Sequence, residues 1–186
     1  MTRLMIIVGS TRPGRIGLPV AEWAREHLAR LDGVEIDFVD LAELALPFLD
    51  EPAHPAKRAY TKPHTIAWSE RVDAAEAFVF VTPEYNHSYS PVLKNAVDFL
   101  FQEWNAKPVG FVSYGGLAGG TRAVAAYEPV LTTVGLVKVP SNVEIAGVGG
   151  KVADGVFAGD EKAVSALTTM GEQLVAYSAA LAGLRG

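Results

Sequence analysis

The densest group of chemically useful residues is Gly9-Ser10-Thr11-Arg12-Pro13-Gly14-Arg15-Ile16-Gly17, which follows the apolar run 4–8 and precedes a helical pattern beginning near Leu18. This order places backbone N–H groups, two hydroxyls and two guanidinium groups at a helix N-terminus, where unpaired donors and the positive dipole end favour an anion. No Gly-Lys-Ser/Thr ending follows Gly9, and Gly9, Gly14 and Gly17 do not have GxGxxG spacing, so the P-loop and dinucleotide patterns are both excluded. A single phosphate monoester fits better, because Arg12 and Arg15 match its roughly two negative charges. The same residues also suit a tight strand-to-helix turn with solvated arginines.

Two further loops have the composition of a binding site. Thr82-Pro83-Glu84-Tyr85-Asn86-His87-Ser88-Tyr89-Ser90-Pro91 follows an apolar run and offers an aromatic side, an amide and a carboxylate to a flat heteroaromatic ligand. Ser113-Tyr114-Gly115-Gly116-Leu117-Ala118-Gly119-Gly120 follows another, and its missing Cβ atoms let main chain approach a ligand closely. Taken singly, both segments also read as ordinary turns rich in turn-forming residues.

The elements that must bring these loops together alternate between strand and helix. Apolar runs at 4–8, 77–82 and 109–113 read as buried strands, with half-buried candidates at 34–39 and 137–144. Between them, Val20, Ala24, Leu28 and Leu31 form one helical stripe that Gly33 ends. Ser90 and Pro91 open a second helix, with Leu93, Ala96, Val97 and Leu100 at core spacing. Further helices are predicted at about 65–72, 122–134 (closed by Gly135, with Pro129 as a candidate kink) and 160–181. Segment 46–63, with Pro47, Pro52, Pro55 and Pro63, reads as a long irregular connection of the kind that is usually functional or mobile. This alternation predicts an α/β fold: one domain over 1–186, a doubly wound parallel sheet of about five strands in the order 2-1-3-4-5, with helices on both faces. The crevice in that order lies above the C-terminal ends of strands 1 and 3, where the first two loops emerge.

Composition narrows the function. The 186 residues include no cysteine, which excludes disulfides, thiolate metal ligands and cysteine nucleophiles. A formal net charge of −5 argues against general affinity for nucleic acid or an anionic membrane surface. His27, His54, His64 and His87 show no metal-ligand pairing, and His27 reads as structural. No secretory signal and no apolar run near the roughly 20 residues of a membrane helix is present, so a cytoplasmic protein is expected.

Together these residues resemble the NADPH-dependent FMN reductase family, flavodoxin-like enzymes that include quinone, azo-dye and chromate reductases. The sharpest marker is PEYNHSYSPVLKNAVDF at 83–99, similar to the family's Pro-Glu-Tyr-Asn loop and following Leu-Lys-Asn-Ala-x-Asp helix. The resemblance implies FMN as cofactor, NADPH (or NADH) as co-substrate and a small electron acceptor reached by ping-pong transfer. It implies that Ser10, Arg12, Arg15, Ile16 and Gly17 bind the FMN phosphate. Pro83, Glu84, Tyr85 and Asn86 would line the ring and ribityl chain, and Ser113, Tyr114, Gly115 and Gly116 would approach the ring's other edge. Arg15 departs from the serine that many relatives carry. No catalytic side chain is implied, and no metal. A flavodoxin-type electron carrier, against which the positive charge of Arg12 and Arg15 argues, and a flavin-binding redox regulator are the rival readings. Phe99, Phe101 and Trp104 exceed what one buried helix stripe explains; with the resemblance they suggest a homodimer, or a tetramer, built around the flavin site, unless they pack beneath the chain's own loops.

Overall fold

A strand whose odd and even side chains are all apolar must be covered on both faces, and the central strands of this chain are. The computed structural model describes residues 1–185. Strands β1 (Thr2–Val8), β2 (Val34–Asp40), β3 (Ala77–Pro83) and β4 (Pro108–Tyr114) run parallel in the order β2-β1-β3-β4. A divided fifth strand, β5 (Val137–Lys138) and β6 (Val143–Ile145), extends the sheet along β4 and completes the expected 2-1-3-4-5 order. Val8 pairs with Val81 and Pro83 with Tyr114, so β1, β3 and β4 end at the same edge.

The helices are α1 (Gly17–Leu28), the short α2 (Leu41–Leu44), α3 (Pro63–Asp73), α4 (Pro91–Asp98), α5 (Thr121–Val134) and α6 (Glu161–Leu181). Leu4, Ile6 and Val8 of β1 with Ala77, Val79 and Val81 of β3 pack against α1 and α6. The intervening Met5, Ile7, Phe78 and Phe80 face α3, α4 and α5 across a core that contains Trp68, Trp104, Phe111 and Tyr127.

Several sequence expectations are corrected. Segment 137–144 is two short strands rather than one, because Pro140 between them has no N–H to give the ladder. A hairpin of β7 (Val152–Ala153) and β8 (Val156–Phe157) follows unannounced, and its Phe157 packs edge-on against Trp23 at 5.2 Å. Ser90 occupies the N-cap of α4, yet its side chain makes no capping bond. Pro129 lies inside α5 without ending it. Phe99 and Trp104 are fully buried in the chain's own core and supply no outer interface, while Phe101 is half-buried against that core.

Segment 46–63 is tied down rather than loose. The Asn95 amide donates to the Pro47 carbonyl at 2.8 Å and accepts from Leu49 N at 3.1 Å, while Gln102 donates to the Ala56 carbonyl at 2.7 Å. At its far end the fully buried Glu103 accepts from Tyr60 at 2.9 Å and from Ser69 at 2.6 Å, with Arg58 Nε 3.3 Å away. Replacing that carboxylate with an amide keeps an oxygen for the two hydroxyls but sets an NH2 against the Phe101 N–H, which the second oxygen now accepts at 3.2 Å, and removes the charge that faces Arg58. We expect Glu103→Gln to lose about 1–3 kcal/mol in a denaturant melt and to admit limited proteolysis within 46–63, whereas unchanged protection would show that the carboxylate does not hold the segment.

Candidate functional site

The three loops that leave β1, β3 and β4 at the shared edge enclose a cavity of about 230 Å³, whose walls include Ser10, Arg12, Arg15, Pro83, Tyr85 and Tyr114. Its floor holds two unsatisfied donors. Ser10 is 1% exposed, and neither its hydroxyl nor the buried Tyr114 hydroxyl has a hydrogen-bond partner. Burial pushes the Tyr114 phenol well above its ordinary value, so it stays protonated; the nearby Ser10 hydroxyl opposes that shift without reaching bonding geometry. Both hydroxyls crowd Gly17, where any Cβ would collide with them. α1 begins here with Ile16 as N-cap, no side-chain cap and no acidic residue in its first turn. Buried polar groups without partners are rare in proteins, and here they sit beside uncapped helix N–H groups that favour an anion.

The two arginines of this loop are placed differently. Arg12 is exposed, forms no ion pair among the described residues and lies over the Tyr85 ring at 5.9 Å, bridging the first and second loops. Arg15 is paired through both terminal nitrogens with Asp40, at the end of β2, and also donates to the Ser10 carbonyl. Burial alone would raise the Asp40 carboxyl, but the bonds from Arg15 and from Ala42 N outweigh it and hold it below the usual carboxylate value.

In the second loop Asn86 and His87 take φ of 50° and 65°, and Tyr85 and Ser88 exchange main-chain bonds at 3.1 and 3.0 Å. This is a tight hairpin turn of the kind that needs two left-handed residues. Glu84 turns from the cavity toward α5, where it accepts from Arg122 N at 3.1 Å and Arg122 Nε at 2.6 Å. It therefore caps a helix that begins at Gly120 with no capping side chain of its own. Burial would raise the Glu84 carboxyl, but the Arg122 bonds hold it below the usual range. In the third loop Ser113 Oγ donates to the Gly119 carbonyl at 2.9 Å, and Gly115 N donates to Ile145 at 3.1 Å, so these groups brace the loop. Gly116 is exposed beside them.

The cavity thus brings together Ser10, Arg12, Arg15, Ile16, Pro83, Tyr85 and Tyr114. Glu84, Asn86, Ser113, Gly115 and Gly116 frame it from the loops without forming its walls. Sequence reading missed Asp40 and Arg122. The available signals were an acidic residue at a strand's C-terminal end, where sites of such sheets gather, and an arginine opening a helix after two glycines. Among the described residues there is no group of three or more metal-ligating side chains, and no helix is long and apolar enough to cross a membrane.

Sheet order, crevice and phosphate-type cradle define a flavodoxin-like α/β protein, and the comparisons agree with that class. Residues 2–149 match the family model of the NADPH-dependent FMN reductases, and the chain belongs to that family. An NAD(P)H-dependent FMN reductase of Schizosaccharomyces pombe is 42% identical over 120 residues, 63% of this chain and 60% of that protein. One from a Nectria species is 37% identical over 145 residues, covering 75% and 72%. The Paracoccus denitrificans flavoenzyme FerB superposes with a TM-score of 0.73 at 22% identity, over 97% of this chain and 98% of its own. The residues present fit the phosphate of FMN, since Ser10 and Tyr114 leave unpartnered buried hydroxyls beside the uncapped N-terminus of α1, with Arg12 at the rim.

Two predictions follow from the charges. Arg12→Ala should weaken FMN binding about 10- to 100-fold while sparing riboflavin, and flavin-fluorescence titration of both ligands would show equal losses if Arg12 did not meet the phosphate. Glu84 is held below its unfolded value of about 4.3, so the unfolded chain takes up its proton first as pH falls. Its contribution is complete above that value and is lost as pH drops through the folded one. Thermal melts across this range should show a shallower acid limb in Glu84→Gln, and an unaltered limb would show the pair to be energetically idle.

Proposed function

We propose that residues 1–186 work as one FMN-binding domain of an NAD(P)H oxidoreductase that passes two electrons to quinones or similar small acceptors. The observation that carries this reading is the pair of unsatisfied buried hydroxyls beneath an uncapped helix N-terminus, with the unpaired cation Arg12 at the rim. The kinship with FMN reductases supports it, as does the name of a Staphylococcus aureus relative, an FMN-dependent NADPH-azoreductase 33% identical over 113 residues.

When bound, FMN supplies the hydride chemistry between nicotinamide and acceptor. The chain supplies position. Ser10, Tyr114 and Arg12 would anchor the phosphate, and Pro83 and Tyr85 would wall the ring. Glu84 with Arg122 holds the second and third loops at a fixed separation. Donor and acceptor would use the same open face of the ring in turn. NADPH is the preferred donor on the family's description.

A second copy of the chain belongs to this reading. Beside Thr11 lies an apolar groove of about 490 Å³, walled by Leu41, Leu46, Phe48, Pro91 and Val92, and Phe48 is 88% exposed. A homodimer, or a tetramer, covering this groove would replace the interface that Phe99 and Trp104 cannot provide.

Purified protein should carry or take up about one FMN per chain, and initial rates against NADPH at several quinone concentrations should give parallel double-reciprocal lines. Intersecting lines would require both substrates bound together. Flavin binding without turnover of any small acceptor would favour an electron carrier or redox regulator. In sedimentation, Phe48→Glu should shift the protein toward monomer, and a wild-type monomer with full activity would remove the second copy from the proposal.

A further inference from the structure

Arg15 lies in the cradle loop and lines the cavity, yet both of its terminal nitrogens are committed to groups of the protein itself. One terminal nitrogen donates both to the Ser10 carbonyl and to Asp40, and the other donates to the second Asp40 oxygen. The pair is well shielded, with the Arg15 and Asp40 side chains 15% and 4% exposed. Asp40 is also committed on its own account, since its side chain accepts from Ala42 N at 2.9 Å and caps α2. The end of β2 therefore needs a cation whether or not a ligand is bound.

We propose that Arg15 is a positioning residue of the phosphate cradle rather than a phosphate ligand, and that it neutralises Asp40 and turns the Ser10 carbonyl outward. The inference rests on the FMN reading above. An anion cradle requires that N–H groups face the ligand and carbonyl oxygens face away. The Ser10–Thr11 peptide is trans, so the N–H of Thr11 points opposite to the Ser10 carbonyl. Holding that carbonyl against the guanidinium therefore aims the next N–H the other way. The second effect is electrostatic: without Arg15, Asp40 would be a shielded, uncompensated carboxylate beneath a loop that binds a dianion, in a medium that screens poorly. Burial of Asp40, outweighed by the bonds it accepts, and the Asp40 bonds that raise Arg15 agree that both groups are charged together.

The two roles make opposite predictions for Asp40. FMN and riboflavin titrations of flavin-free wild type, Arg15→Ala, Asp40→Asn and the double variant separate them, with Arg12→Ala as the example of a direct phosphate contact. Arg15→Ala should weaken FMN about 10- to 100-fold, and adding Asp40→Asn should recover most of that loss, because the repelling charge is gone. Asp40→Asn alone should bind FMN no more tightly than wild type. The proposal is overturned if the double variant recovers nothing, or if Asp40→Asn alone tightens FMN binding by releasing Arg15 to the phosphate. Should Arg15→Ala not fold in a thermal melt, the single Asp40→Asn comparison decides: tighter FMN overturns the proposal, and unchanged or weaker FMN with riboflavin unaffected supports it. A wild type that binds FMN no better than riboflavin removes the phosphate reading itself, a failure distinct from a wild type that discriminates while the double variant shows no rescue.

Discussion

Everything at the site depends on β1 and β3 being buried on both faces in parallel register. A strand so covered can leave the sheet only at its ends, and parallel neighbours in register leave at the same end. Val8 beside Val81 and Pro83 beside Tyr114 therefore deliver three loops to one edge without any loop having to specify where the others go. The apolar runs that specify the fold thereby also specify the location of the crevice. Chemistry enters only through the few polar residues that follow each run.

Convergence alone does not give a fixed geometry, because loops at strand ends are the least constrained backbone in the fold. In this chain a shielded carboxylate secures each of three segments. Asp40 holds the phosphate-type loop through Arg15, Glu84 holds the second loop to α5 through Arg122, and Glu103 holds segment 46–63 through Tyr60, Ser69 and Arg58. An exposed ion pair contributes roughly 0–1 kcal/mol, so surface pairing would not secure these loops. Removing one partner of a buried pair such as Arg15–Asp40 costs about 3–5 kcal/mol, because the other charge is stranded, and the pairs of Glu84 and Glu103 contribute less because Arg122 and Arg58 are 45% and 39% exposed. The asymmetry favours placing the carboxylates inward and accepting their desolvation.

Much of this was legible in residue order. The strand runs, the 2-1-3-4-5 order, the three loops and the cradle at 9–17 all follow from apolar periodicity and turn chemistry, which act over a few residues. What was not legible involves partners far apart in sequence. Arg15 and Asp40 are 25 positions apart and Glu84 and Arg122 are 38 apart, and nothing local distinguishes an arginine that will meet a ligand from one that will meet a carboxylate. Phe99 and Trp104 were misread for a related reason: helical spacing accounts for α4 only to Asp98, after which the chain turns inward and the stripe argument no longer applies. Pro140 was visible, but its effect on strand 5 depended on which ladder positions needed a donor.

The placement of charge bears on how open the site can be. If both arginines gripped the phosphate, the loop would hold two cations at its mouth, and without ligand their mutual repulsion would work against the closed form of the cradle. Pairing Arg15 with Asp40 makes the loop's frame electrically neutral and leaves a single exposed cation, Arg12, resting on Tyr85. The frame can then hold its shape with or without an anion, since its stability comes from the protein's own pair. On the proposed reading, ligand binding would draw on groups that nothing else requires: Ser10 Oγ, Tyr114 OH, the α1 N–H groups and Arg12. A site organised in this way pays little reorganisation when it fills. On the same reading, the ring side would be left to Tyr85 and the glycine loop, which would constrain a flat ligand by contact rather than by charge.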